Sequence, residues 1–186
     1  MKTIKKTIKL WTQAEVNAFA ETSIVGDLII QGSDIDDLEP LSALTSVDGD
    51  LNIRDNVSLN SLSGLSNLTS VGGNVEILYN ASLTNIEGLS NLTSVGGELR
   101  IENNPALTNL DGLSSLTSVR ALGVQLNAAL INIEDLSNLT FVGGNLWIWN
   151  CDALPNINGL SNLTSVNGEL FIQYHVTLSS INELSN

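Results

Sequence analysis

The stretch Gly88-Leu89-Ser90-Asn91-Leu92-Thr93-Ser94-Val95-Gly96-Gly97-Glu98-Leu99 decides the fold, because the chain writes it repeatedly. Its opening phrase, seen first as Leu41-Ser42-Ala43-Leu44-Thr45-Ser46-Val47, returns at Leu65, Leu89, Leu113, Leu136 and Leu160, and a partial seventh begins at Leu184. Successive starts lie 24 residues apart, except for one interval of 23 between Leu113 and Leu136. A fixed period in this range is the signature of a solenoid of stacked coils, each burying its apolar residues against its neighbours. The repeat occupies residues 24–186, read as a single structural domain, and residues 1–23 form a separate N-terminal piece.

Between Val71 and Leu92 the recurrent apolar positions are Val71, Val75, Ile77, Leu83, Ile86, Leu89 and Leu92. Val75-Glu76-Ile77 alternates as a half-buried strand does. Its equivalents are Leu28-Ile29-Ile30, Leu51-Asn52-Ile53, Leu99-Arg100-Ile101, Leu122-Gly123-Val124, Leu146-Trp147-Ile148 and Leu170-Phe171-Ile172. Seven parallel strands at about 4.8 Å per rung are predicted. Apolar pairs three apart, such as Leu68 with Val71, read as bends or very short strands. Gly72-Gly73, Gly96-Gly97 and Gly143-Gly144 precede the strand, where a tight corner with positive φ is expected. Arg120-Ala121 stands where three residues are due, which puts the deletion, and a kink, at that corner.

Five residues after each strand begins comes Asn56, Asn80, Asn104 and Asn127, then Cys151 and His175. An inward amide at this position can bond the turn and the coils on either side. Cys151 therefore reads as structural rather than nucleophilic, and His175 as a packed residue rather than a metal ligand.

Composition narrows the function. Hydrophobic residues make up 42% of the chain and aromatics only 4%, so Leu, Ile and Val must fill the interior. Lys2, Lys5, Lys6 and Lys9 open the chain; beyond them Arg54, Arg100 and Arg120 face all 20 acidic residues. That balance repels phosphate backbones and anionic membranes, so nucleic acid is excluded as a partner. No apolar run approaches the roughly 20 residues of a membrane span, and no membrane insertion is expected. The basic start lacks the apolar core of a signal peptide, because Lys9, Thr12 and Gln13 interrupt it. With one Cys, no intrachain disulfide can form. Neither Gly-x-Ser-x-Gly nor His-Glu-x-x-His occurs, so the chain reads as no enzyme, with no catalytic residues, cofactor or metal. Asp34, Asp36, Asp37 and Glu39 match no calcium loop and read as a solvated turn. Asn-x-Ser/Thr at Asn56, Asn67, Asn80, Asn91, Asn138 and Asn162 follows mostly from the repeated phrase.

The spacing Leu99-x-Ile101-x-x-Asn104, with Cys151 replacing Asn in Leu146-x-Ile148-x-x-Cys151, resembles the core of a leucine-rich repeat. The phrase from Gly88 to Leu99 resembles the receptor L-domain type found in bacterial surface proteins and distantly in growth-factor receptor ectodomains. The resemblance covers residues 24–186. It implies a mainly β protein, a right-handed parallel β-solenoid of leucine-rich-repeat or receptor L-domain type with about 24 residues per coil, exported or surface-displayed, that binds rather than catalyses. The absence of paired cysteines separates the chain from the animal receptors and favours the bacterial branch.

At the N-terminus, Thr12-Gln13-Ala14-Glu15 fits a capping box and predicts a short capping helix over residues 13–21. Thr7-Ile8-Lys9-Leu10 reads as a strand whose lysines protect an edge. At the other end nothing polar follows to cap Leu170, Ile172, Leu178 and Ile181. Either the chain is cut from a longer one or this end pairs with another molecule.

Outward residues form two columns: Ile29, Asn52, Glu76, Arg100, Gly123, Trp147 and Phe171, then Gln31, Arg54, Leu78, Glu102, Gln125, Trp149 and Gln173. Trp147, Trp149 and Phe171 on adjacent rungs make an exposed apolar patch, with Gln125 and Gln173 as polar neighbours, and these five residues are the candidate ligand site. Glu76, Arg100 and Glu102 read as a solvated ion network. The expected function is a non-catalytic recognition or adhesion module of a secreted or surface-displayed protein, binding a protein partner through the main sheet. The alternative is a carbohydrate-binding module on the Trp147/Trp149/Phe171 platform. A structural spacer is a minor alternative. So is an ice-binding face on the column Thr45, Thr69, Thr93, Thr117, Thr140 and Thr164, which lacks a second threonine rank. A homodimer through the aromatic patch or the uncapped C-terminal end is the further partner reading.

Overall fold

Alternation of inward Leu, Val and Ile with outward polar residues gives one parallel sheet. Its strands pair in chain order: Ile8–Leu10, Leu28–Ile30, Leu51–Arg54, Val75–Leu78, Glu98–Glu102, Ala121–Gln125, Leu146–Trp149 and Leu170–Gln173. The computed structural model describes residues 6–184; Lys2, Lys5 and the Ser185-Asn186 end of the seventh phrase lie outside them. The sheet has one strand more than the repeats supply, because Ile8–Leu10 joins its edge with Ile8 opposite Leu28. Register holds equivalent positions in line: Leu28, Leu51, Val75, Leu99, Leu122, Leu146 and Leu170 are successive partners. The two outward columns are therefore real rows on the sheet face.

Behind this sheet run two-residue strands, and here the repeat breaks. Ser23–Ile24, Ser46–Val47, Ser70–Val71 and Ser94–Val95 form one sheet, while Ser118–Val119, Phe141–Val142 and Ser165–Val166 form another. The gap falls at the coil that lacks a residue beside Arg120. With one residue fewer, that corner cannot keep both ladders in register. The five-residue pairing from Glu98↔Ala121 to Glu102↔Gln125 is kept, and the two-residue one is lost. Single 3₁₀ turns such as Ser63–Leu65 and Glu87–Leu89 complete the coils, so the apolar pairs three apart lie on turns as well as short strands.

The core is a file of aliphatic layers: Leu65, Leu68, Val71, Val75, Ile77, Leu83, Ile86 and Leu89 have no exposed surface. Toward the C-terminus the file opens. Leu170 is 48% and Ile181 56% exposed, and Ile172 and Leu178 are half-buried.

Asn56, Asn80, Asn104 and Asn127 are fully buried. Each amide donates to a strand carbonyl of the preceding coil, as from Asn80 Nδ2 to Ile53 O (3.0 Å) and from Asn104 Nδ2 to Ile77 O (2.9 Å). Asn56 Oδ1 accepts the Gly32 N–H (2.9 Å), and each later Oδ1 accepts the backbone N–H of the preceding Asn, 3.1 Å for Asn56 to Asn80 and 3.0 Å for Asn104 to Asn127. The residue just before this column takes the left-handed conformation in six coils: Asp55, Tyr79, Asn103, Leu126, Asn150 and Tyr174 have φ between 52° and 57°.

Positive φ was expected instead at the glycine pairs, and there it is absent: among glycines only Gly26 and Gly112 adopt it. Gly72-Gly73 and Gly96-Gly97 answer a different demand, close approach between coils. A Cβ on Gly73 would lie 2.2 Å from Asp50 Oδ1, and one on Gly97 2.1 Å from Asn74 Oδ1. Those oxygens accept the next coil's backbone, from Asn74 N–H at 2.7 Å and Glu98 N–H at 2.8 Å.

The N-terminal helix spans Gln13–Asn17 with Thr12 and Glu15 forming the capping box, shorter than the predicted 13–21. It stops because the chain tightens, with Phe19 N–H bonding Val16 O (3.1 Å). Gln13 ties the helix to the acidic turn by donating to Asp37 O (2.9 Å) and accepting from Asp36 N–H (3.0 Å). The acidic turn is thus held by backbone bonds.

Candidate functional site

Strand alternation places Arg100, Gly123, Trp147 and Phe171 side by side on the outer face, and Glu102, Gln125, Trp149 and Gln173 in the neighbouring row. Gly123 has no side chain, so a rung is missing between Arg100 and Trp147. At the strand spacing this leaves a hollow roughly 10 Å across. The result is an open groove of about 480 Å³. Glu98 and Arg100 line one side, Trp147, Trp149, Phe171 and Glu169 the other, with Gln125 beneath. A second hollow of about 420 Å³ adjoins it at the deleted corner and shares Glu98 and Trp147, with Arg120, Gly143 and Gly144 at its edge. Both hollows lie at the short coil. The repeat fails there and the surface becomes concave.

Trp147, Trp149 and Phe171 converge on the groove but are half-buried rather than fully exposed, because neighbouring rungs shield the ring bodies. Gln125, expected as an exposed polar neighbour, is only 7% exposed and forms part of the floor. Gln173 stands opposite Trp149 on the last rung and does not line the groove. The expected ion network of Glu76, Arg100 and Glu102 is divided. Arg100 pairs with Glu102, whose carboxylate is largely buried, whereas Glu76 accepts from Asn52 Nδ2. Tyr79 OH also donates to Glu102 (3.3 Å).

Glu98 and Glu169 are lining residues that the two columns did not include. They occupy the position before the first inward residue of a strand (Leu99 and Leu170), where Asp27, Asp50, Asn74 and Asn145 accept the next coil's N–H through a short side chain. Glutamate is one methylene longer, and Glu98 and Glu169 line the groove instead. The signal was the substitution of Glu for Asp or Asn at this position.

Cys151 is fully buried, with its thiol 3.8 Å from Val124 O and 3.7 Å from Trp149 O. Burial pushes its pKa up to about 11, against the lowering effect of a bond to the Asn127 backbone, so it is an unreactive thiol. His175 has Nδ1 3.1 Å from Cys151 O and Nε2 3.1 Å from Ile148 O, so both ring nitrogens face backbone carbonyls. Among the described residues no group of three or more His, Cys, Asp or Glu is placed to hold a metal, and no helix is long and apolar enough to cross a membrane. Thr45, Thr69, Thr93, Thr140 and Thr164 of the threonine column commit their hydroxyl protons to the preceding coil, as from Thr69 to Thr45 O (3.1 Å) and from Thr164 to Thr140 O (2.8 Å). Of the Asn-x-Ser/Thr sites, Asn56 and Asn80 are fully buried.

Stacked parallel coils with an open groove on the sheet face define a repeat protein of the ligand-binding kind. The Receptor L domain family model matches residues 22–83 and 69–143, together more than half of the chain, which therefore belongs to the receptor L-domain family. Receptor L domains are extracellular, ligand-binding modules without catalytic activity. No curated relative matches the chain.

Proposed function

We propose that the chain is a recognition or adhesion module of a secreted or surface-displayed protein, and that it binds a protein partner through the main sheet at the groove beside Gly123. One observation carries this reading: the repeat is interrupted at a single coil, and two of the chain's three tryptophans line the hollow that results. Tryptophan is enriched among the residues that dominate interface energetics, above all in concave, partly desolvated positions. Gly123→Leu tests it. A Cβ at that position meets Gln125 Nε2 at 3.1 Å and Arg100 Cγ and Glu98 Oε1 at 3.6 Å, all of them on side chains that can give way. The variant should keep the thermal stability of the wild type while filling the groove.

Random-peptide phage selection on the immobilised protein should enrich sequences that bind the wild type and lose binding to Gly123→Leu and Trp149→Ala. Failure to enrich any peptide, or equal binding to all three proteins, would overturn the proposal. Maltohexaose that quenches tryptophan fluorescence in the wild type but not in Trp149→Ala would give the groove to a glycan. Light scattering of the wild type and Trp147→Ser/Trp149→Ser separates both from a second copy of the chain, which would appear as a dimer lost in the variant.

A further inference from the structure

Arg100–Glu102 is the one ion pair among the described residues, so the arginine charge in the groove is compensated within its own wall. Glu98 and Glu169 line the same groove and have no ion-pair partner among those residues. Trp147 and Trp149 stand on a strand between theirs, and Phe171 lies on the strand that Glu169 precedes. Aromatic faces carry negative potential and attract cations, most strongly where water is partly excluded. Carboxylates without counter-ions and half-buried rings thus favour the same kind of guest. An anion would meet two uncompensated negative charges. A neutral sugar would stack on the rings and leave those charges in place. Arg120 lines the adjoining hollow, which shares Glu98, but forms no ion pair with it.

We infer that the groove takes a guanidinium or ammonium side chain from a basic segment of the protein partner, seated on the Trp147/Trp149/Phe171 wall and neutralised by Glu98 and Glu169. This rests on the reading of the groove as a protein-binding site, and names the chemistry that enters it. The molecule as a whole agrees, since beyond Lys9 three arginines stand against 20 acidic residues. Such a field steers a basic partner toward the surface, and the groove then selects the side chain that enters.

The test is a titration of the protein with capped tetra-arginine at low ionic strength, followed by tryptophan fluorescence, with capped tetra-glutamate and maltohexaose in parallel. Glu98→Gln/Glu169→Gln removes the groove charges, and Glu21→Gln/Glu39→Gln removes two equivalent charges elsewhere. Melting temperatures verify that all variants fold. Tetra-arginine should change the fluorescence, bind about tenfold more weakly to the groove pair, lose less than about twofold with the distant pair, and give no signal change with Trp149→Ala. Equal losses in both charge pairs would reduce the effect to diffuse attraction and overturn the inference. So would binding of tetra-glutamate, or the absence of any response to tetra-arginine. If the peptides selected on the groove carry no arginine or lysine, the protein-binding reading stands and the cation assignment falls. If maltohexaose alone responds, both fall.

Discussion

Asn104 has no exposed surface and serves three groups of the preceding coil: it donates to Ile77 O and accepts from the backbone N–H (3.1 Å) and side-chain amide (3.2 Å) of Asn80. Asn104→Ala would leave these groups buried without partners, at a cost of about 2–4 kcal/mol measured by urea unfolding. Cys151 poses the opposite case, because a thiol at 3.7–3.8 Å is a weak substitute for an amide. Cys151→Asn should extend the ladder by one rung and raise stability by about 1 kcal/mol in the same assay. The column was legible in the sequence because a polar residue at constant offset inside an apolar frame is buried, and a buried amide must bond the backbone around it. The corner ladder of Asp27, Asp50, Asn74 and Asn145 was not, since polar residues beside glycine look like ordinary solvated turn. It is the stacking of the coils that brings their oxygens onto the next coil's backbone. Gly123 was read as one member of an outward column. Its consequence depends on what flanks it on both rungs.

At the scale of elements, the missing residue beside Arg120 separates the rear strands into two sheets while the main sheet runs through. The kink was legible as an interval of 23, but which ladder would yield was not, because that depends on the unequal lengths of the competing pairings. Inserting one glycine between Val119 and Arg120 should reunite the rear sheet. The expected result is slower exchange of the Ser118 and Val119 amides, a gain of about 1–2 kcal/mol, and weaker binding of peptides selected on the groove. Unchanged exchange would mean that the break has another origin. The turn side of the same coil gives a pH prediction. Burial, then the charges of Asp135, Glu87 and Glu134, hold the Asp111 carboxyl above its ordinary pKa. The folded state therefore binds this proton more tightly than the unfolded one, so the stabilising contribution is present in acid and lost as pH rises through the raised pKa. Asp111→Asn should accordingly melt at a higher temperature than the wild type at neutral pH, with the difference vanishing below about pH 3.5.

Over the whole molecule, stability resides in contacts between adjacent coils, so it need not be uniform along the axis. The axis and seven of the eight rungs could be read from the period alone, because stacking leaves each coil only two neighbours. The shape of the binding face could not, because it arises from the one coil that departs from the period. The two ends also differ. Near the N-terminus, Ile8–Leu10 extends the sheet and fully buried Val16 packs against the first coil. Near the C-terminus the strand Leu170–Gln173 has a partner on one side only among the described residues, and Leu163, Val166, Ile172 and Leu178 pack against the core only partly buried. Opening that rung exposes little surface that is not already wet, so its free energy should lie well below that of global unfolding. Hydrogen exchange should therefore show protection highest in Val75–Leu78 and Glu98–Glu102 and at least about a hundredfold lower in Leu170–Gln173. Equal protection would mean that the coils unfold as one unit. A gradient would place Phe171 and Glu169 on the least stable rung of the groove, so a ligand bound there should slow exchange at Leu170–Gln173 more than anywhere else, because binding and ordering of that rung are linked.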